Sequence, residues 1–309
     1  MQIKFLYQKT LQVLSLGMII TMLAGCSSQG GTKKTDEVTV DQSEMDTKAV
    51  KDLGQVKNIF YSLPSPLETA MLIKTAGAKY NEELLNPIRN VDNYNTSKSM
   101  ALNLGIYTTD LSFASLFDQT QTAIKYMGNA KKLADKMGIL DAIDNNTIAR
   151  LEENVNNRDV IMDIISETFM SSSAYLNDAN RKGQAAIVLV GGWVEGLYIA
   201  TQLVGNSPIK DNKLVQRIVD QKYSLDIVTH LLDSDEVKDN PDVASVKNEM
   251  AELKKIFDKI TIKTSKIEPV YDQNTKVTTL KSKSEIEITT DVFKELTNKV
   301  KATRSTFIL

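Results

Sequence analysis

Apolar residues recur every three or four positions through most of this chain, the period of a helix that buries one face. The first clear helix start is Ser65-Pro66-Leu67-Glu68. Ser65 is placed to cap, Pro66 fits a first turn where its missing N–H costs nothing, and Glu68 stands three residues after the cap. That helix presents Leu67, Ala70, Met71 and Ile73 and runs towards Gly77. A short helical turn over 81–85 should stop before Pro87, because the residue preceding a proline disfavours helical backbone. Thr96 or Ser97 opens a longer apolar helix reaching Phe117, and 120–137 continues in helical period to a stop at Gly138. In that segment Ile124, Met127, Leu133 and Met137 are expected on one side, with Lys131, Lys132 and Lys136 on the other. Further helices are expected over 145–156 and from 158 to about 180.

Residues 184–204 are the most apolar stretch beyond the first thirty residues, and Glu195 is the one charge inside it. A helix apolar on all sides is either the centre of a bundle or a membrane span. Twenty residues are long enough to span, but Glu195 would then sit near mid-bilayer at a cost of about 2.5 kcal/mol or more. A central core helix is therefore the expectation. Gly191-Gly192-Trp193-Val194-Glu195-Gly196 has the glycine density of a phosphate loop, yet Leu197-Tyr198 follow where such a loop needs Lys and Ser or Thr. Close packing is the better use, with Gly192 and Gly196 four apart on one face. Beyond it, 211–232 repeats apolar positions every three to four residues, and Asn240-Pro241 caps a charged amphipathic helix to 260. Residues 261–289 turn rich in Thr, Lys and Ser, and the alternation Glu285-Ile286-Glu287-Ile288 fits an edge hairpin or a loose arm. Thr290 and Asp291 then cap a final short helix from 292 to about 303. The pattern as a whole predicts an all-α fold: one multi-helix bundle around the central apolar helix, with a small strand-like or irregular insert near the C-terminus.

The beginning of the chain follows a different rule. Lys4 and Lys9 precede an apolar run over 11–23 that is too short for a comfortable membrane span, which is the form of a secretory signal. It ends in Leu23-Ala24-Gly25-Cys26, and Cys26 is the chain's one cysteine. This stretch resembles the lipobox of bacterial lipoproteins. The resemblance covers about the first thirty residues and implies a signal peptide over 1–25, removed on export, and a diacylglyceryl and N-acyl lipid on Cys26. It makes the membrane a partner, because several acyl chains on one terminus anchor stably. Ser27 follows the cysteine without an acidic residue, which by the same resemblance implies the periplasmic face of an outer membrane. Residues 26–48 are almost wholly polar and read as the acylated cysteine followed by a tether, which would hold the domain roughly 25 Å from the lipid. The helical domain is expected over 49–309. That body is similar only to uncharacterised envelope lipoproteins of Bacteroidota, a likeness that implies no activity.

Charge and composition narrow the chemistry. The formal net charge is −2 and becomes −4 when Lys4 and Lys9 leave with the signal; with a pI near 5.7 and no basic stripe, nucleic acid is a poor partner. With Cys26 acylated no thiol remains for a disulfide, so an ordinary apolar core must hold the domain. His230 is the one histidine and there is no His-x-x-x-His, so neither a metal site nor a catalytic triad is expected; no cofactor is expected beyond the covalent lipid.

Three acids lie in otherwise apolar helical surroundings: Glu68, Asp110 and Glu195. Each needs a partner or a shifted pKa. Tyr107 lies one turn before Asp110 and Tyr198 three residues after Glu195, so hydroxyls are at hand. The acids either form a buried polar network that fixes helix packing, or line a small-ligand pocket walled by Trp193, Tyr107 and Tyr198 near Glu195. Paired-acid hydrolysis would need two of them to converge. The functional expectation is an anchored envelope lipoprotein with a non-catalytic binding or scaffold role towards another envelope component, the small-ligand module being the alternative.

Overall fold

Local capping chemistry sets most of the helix boundaries. The computed structural model describes residues 65–140, 145–154, 157–265, 268–271, 278–281 and 284–309; the leader, Cys26, the tether and the expected domain start at 49 lie outside the described residues. Helix α1, Pro66–Thr75, begins with the reciprocal capping box of Ser65 and Glu68. Two short 3-10 helices follow, Glu82–Leu84 and Ile88–Asn93, on either side of Pro87. Helix α2, Ser97–Leu116, starts at a second capping box made by Thr96 and Ser99. Helix α3, Thr120–Lys136, ends before Gly138, whose φ of 64° is the left-handed conformation that glycine adopts without strain. Helices α4, Asn145–Glu153, and α5, Arg158–Asp178, precede the central helix α6, Lys182–Val204. Helix α7, Lys213–Asp233, is capped by Asn212, and helix α8, Pro241–Phe257, by Asn240 with proline in its first turn.

The insert is an antiparallel arm. Strand β1, Thr261–Thr264, pairs with β4, Ser284–Glu287, while β2, Glu268–Tyr271, pairs with β3, Thr278–Lys281, nested between them. Ile286 of the expected alternation faces Ile262 across the outer pair, and both pack against the core. The last helix, α9, Thr290–Phe307, is capped by Thr289 rather than by Thr290 or Asp291 and runs a full turn past the expected end at 303. That extra turn holds Arg304.

The fold is an all-α bundle, with the strand arm its one departure among the described residues. α6 lies in the middle, in contact with α2, α9, α7, α8, α1 and α5. By length and composition it could cross a membrane, yet nearly all of it is buried inside the domain, Trp193, Glu195 and Tyr198 included. Its most extensive contact is with α2, and there the backbones touch. A Cβ added at Gly105 would overlap the Val188 carbonyl, and one at Gly191 would overlap the Leu102 carbonyl. Gly192 lies 3.3 Å from the Gly105 carbonyl, measured from where its own Cβ would stand, and Thr109 donates to the Gly192 carbonyl at 3.2 Å. The glycines serve close packing as expected, but on two partners: Gly191 and Gly192 admit α2, while Gly196 admits Thr69 of α1. A polar face of α3 does not run as expected either. Leu133 and Met137 are buried, whereas Ile124 is exposed and Lys131, seven residues on, shares its side.

Candidate functional site: a buried carboxylate pair and its arginine

Glu195, in the middle of α6, and Asp110, in the second turn from the end of α2, are both fully buried. An isolated carboxylate there would be prohibitive, and the partner that makes Glu195 tolerable comes from the far end of the chain. Arg304 of α9 reaches in with Nε donating to Glu195 Oε2 at 2.9 Å and Nη2 to Oε1 at 3.0 Å, a bidentate fork. The same Nη2 donates to the Leu84 carbonyl at 3.1 Å, and the guanidinium carbon lies 4.6 Å above the Tyr198 ring. Tyr198 therefore serves the site with its ring face against the cation, where its hydroxyl was the expected contribution.

Asp110 Oδ2 accepts the Asn86 backbone N–H at 3.0 Å. Burial raises its pKa well above the usual carboxylate range, the charge of Glu195 raises it further, and Arg304 and the Asn86 N–H only partly oppose them. The neutral form of Asp110 is thereby favoured, and its second oxygen, Oδ1, is buried without a hydrogen-bond partner. Charge balance says the same: one guanidinium neutralises one carboxylate, and the second acid stays neutral. For Arg304, burial works against the charge but the Glu195 carboxylate and its hydrogen bonds outweigh it, so the guanidinium pKa is raised.

Around this trio a polar network holds the irregular stretch between α1 and α2. A buried loop has backbone groups that no helix satisfies, so side chains must do it. Tyr107 donates to the Pro87 carbonyl at 3.1 Å, Tyr126 to the Asn86 carbonyl at 2.9 Å, and Asn129 to the Ile88 carbonyl at 2.9 Å. Asn86, itself fully buried, donates from its side chain to Tyr94 at 3.0 Å and Asn103 at 3.1 Å. Asn103 and Tyr94 in turn donate to the Phe307 and Ile308 carbonyls, at 2.8 and 3.2 Å, tying the end of α9 to the start of α2. Burial raises the pKa of Tyr107 and Tyr126, so both remain donors.

Of the acids singled out from the sequence, Asp110 and Glu195 meet; Glu68 does not join them. Glu68 is exposed, and its carboxylate accepts the Ser65 N–H in the capping box, which is all its position in a first turn requires. Tyr107 belongs to the network but gives its hydroxyl to Pro87, not to Asp110. Trp193 lies on the other side of α6, where its indole N–H donates to Gln221 of α7 at 3.2 Å; two residues along a helix point nearly opposite ways, so Trp193 and Glu195 do not wall one pocket. His230 is exposed in the last turn of α7. Arg304 is the residue the sequence reading missed. Phe293, Leu296, Val300 and Phe307 mark the apolar stripe of α9, and residues 303 and 304 fall on it, so a basic residue on that stripe was the available signal.

Chemically the arrangement is closed. Glu195 has both oxygens on Arg304, Asp110 has one on Asn86, and neither acid has accessible surface for a substrate. Among the described residues no group of three His, Cys, Asp or Glu is placed to hold a metal. Comparisons with protein-family models, curated proteins and solved structures find no match for the chain.

Proposed function

We propose that this chain is a lipid-anchored component of a bacterial cell envelope, attached through Cys26 at the periplasmic face of an outer membrane, whose helical domain has a binding or scaffold role and no catalytic one. The lipobox resemblance of Leu23-Ala24-Gly25-Cys26 supports the anchor, and the polar stretch over 26–48 supports a tether. The single observation that favours a non-catalytic role is the commitment of Glu195 to Arg304: the one acid buried in the central helix is neutralised by the protein itself. A partner in the envelope then meets the domain's outer surface. The test is crosslinking in the intact envelope with a C-terminal tag; Leu309 is 90% exposed, so a tag on a short linker leaves the Phe307 and Ile308 carbonyl contacts in place. A stoichiometric partner that is lost when Cys26→Ala releases the protein from the membrane fraction is the expected outcome. Membrane retention of Cys26→Ala overturns the anchor, and the absence of any reproducible partner overturns the scaffold role.

A further inference from the structure

The domain also carries an open apolar cavity, away from the acids. Between α3 and α5, on the flank of α2, lies a cavity of about 330 Å³, at the small end of the range for ligand pockets. Its walls are apolar: Leu104 and Leu111 of α2, Met127 of α3, and Ile165, Phe169 and Leu176 of α5. Among the described residues lining it there is no Asp or Glu and one cation, Lys131. The Lys131 ammonium on the exposed rim and the buried Thr168 hydroxyl have no partner among the described residues, and neither have the Ser172 and Ser173 hydroxyls. All four can donate a hydrogen bond. Beside a lysine, with no carboxylate in the lining, the ligand group that fits is an anion.

Gly128 adds an independent sign. It sits inside α3, where glycine costs roughly 0.5–1 kcal/mol relative to alanine. Gly105 and Gly191 repay that cost by letting two backbones touch, but a Cβ at Gly128 would meet nothing within 4 Å. Gly128 is exposed at the mouth of the cavity, so no packing within the domain uses the missing side chain. Gly128 lines the cavity on the same side of α3 as Ile124, Met127 and Lys131, so the missing side chain leaves the approach past Lys131 clear.

We propose that this cavity binds a single-chain amphiphile with an anionic head, a free fatty acid whose tail lies among the α2, α3 and α5 side chains and whose carboxylate pairs with Lys131. At roughly 30 Å³ for each water-sized group, the volume suits a tail of about ten to twelve carbons. The site is independent of Cys26 and of any protein the domain meets, so it stands or falls apart from the anchoring role.

The experiment titrates the full chain carrying Cys26→Ala, prepared without detergent, with dodecanoate below its micellar concentration and with dodecanol as the uncharged control. Saturable one-to-one binding of dodecanoate with a rise in Tm is expected. Gly128→Leu should hold or raise the Tm of the free protein while removing binding of both probes, a combination that mere loss of structure does not produce. Lys131→Gln should weaken dodecanoate about tenfold and leave dodecanol unchanged, as removal of one charge-assisted contact does. On the unsubstituted cavity, a photoreactive dodecanoate should label residues of α3 or α5. Absence of saturable binding, undiminished binding by Gly128→Leu, labelling elsewhere, or an equal loss of both probes in Lys131→Gln overturns the assignment.

Discussion

The two flanks of α2 are built in opposite ways. Towards α6 and the end of α9, backbone lies on backbone at Gly105 and Gly191, and buried polar groups are joined into one network from Asn86 to the carbonyls of Phe307 and Ile308. Towards α3 and α5, the helices lean on α2 and leave a cavity between them, with an unpaired threonine hydroxyl and a glycine that touches nothing. The same residue type therefore carries opposite meanings. On the closed flank glycine marks contact, and on the open flank it marks space.

Substitutions on the two flanks break or sharpen this contrast. Gly105→Ala puts a Cβ into the Val188 carbonyl, where only backbone can give way, and should destabilise by about 3 kcal/mol or more in denaturant unfolding. A loss under about 1 kcal/mol would mean that α2 and α6 can separate cheaply. Asp110→Asn comes next and depends on pH. Burial raises the pKa of Asp110 in the native state, so its contribution is complete below about pH 3.9 and fades as pH rises towards the raised native pKa. Asparagine keeps an acceptor for the Asn86 N–H without titrating. The variant should match the wild type near pH 4 and exceed it by on the order of 1 kcal/mol at pH 8. Parallel stability curves across that range would place the proton elsewhere. The smallest effect is that of Gly128→Ala, a gain of about 0.5–1 kcal/mol with the opposite sign to Gly105→Ala. A loss there would show a packing role for Gly128.

Where caps and turns decide the structure, the sequence was readable. Ser65 with Glu68, Thr96, Gly138 and Asn240 with Pro241 each act locally, and the helices begin or end beside them. The unbroken apolar pattern of 184–204 pointed to a central helix, and it is central. The polar site was only half legible. Asp110 and Glu195 stood out as charges among apolar residues, but no local rule pairs residues 109 positions apart in the chain, and Arg304 lay just past the expected end of the last helix at 303. Glu68 misled because an acid beside Leu67 and Ala70 looks buried on periodicity, although its place in a first turn was already a sufficient reason for it. Asn86 and Tyr126 were unremarkable in sequence; they matter because the stretch around Pro87 is irregular and buried, which no periodicity reports. The cavity was invisible for a related reason, since it is a property of how α3 and α5 miss each other.

Glu195 and Arg304 lock α6 to α9. A double-mutant cycle measures this lock most directly, with Glu195→Leu, Arg304→Met and the pair together compared by denaturant unfolding at pH 7. Each single variant leaves a buried charge unpaired and should lose about 3–5 kcal/mol, while the double variant, with apolar groups of similar size, should recover most of that loss. Additive losses in the double variant would show that the two side chains act independently and would contradict the lock.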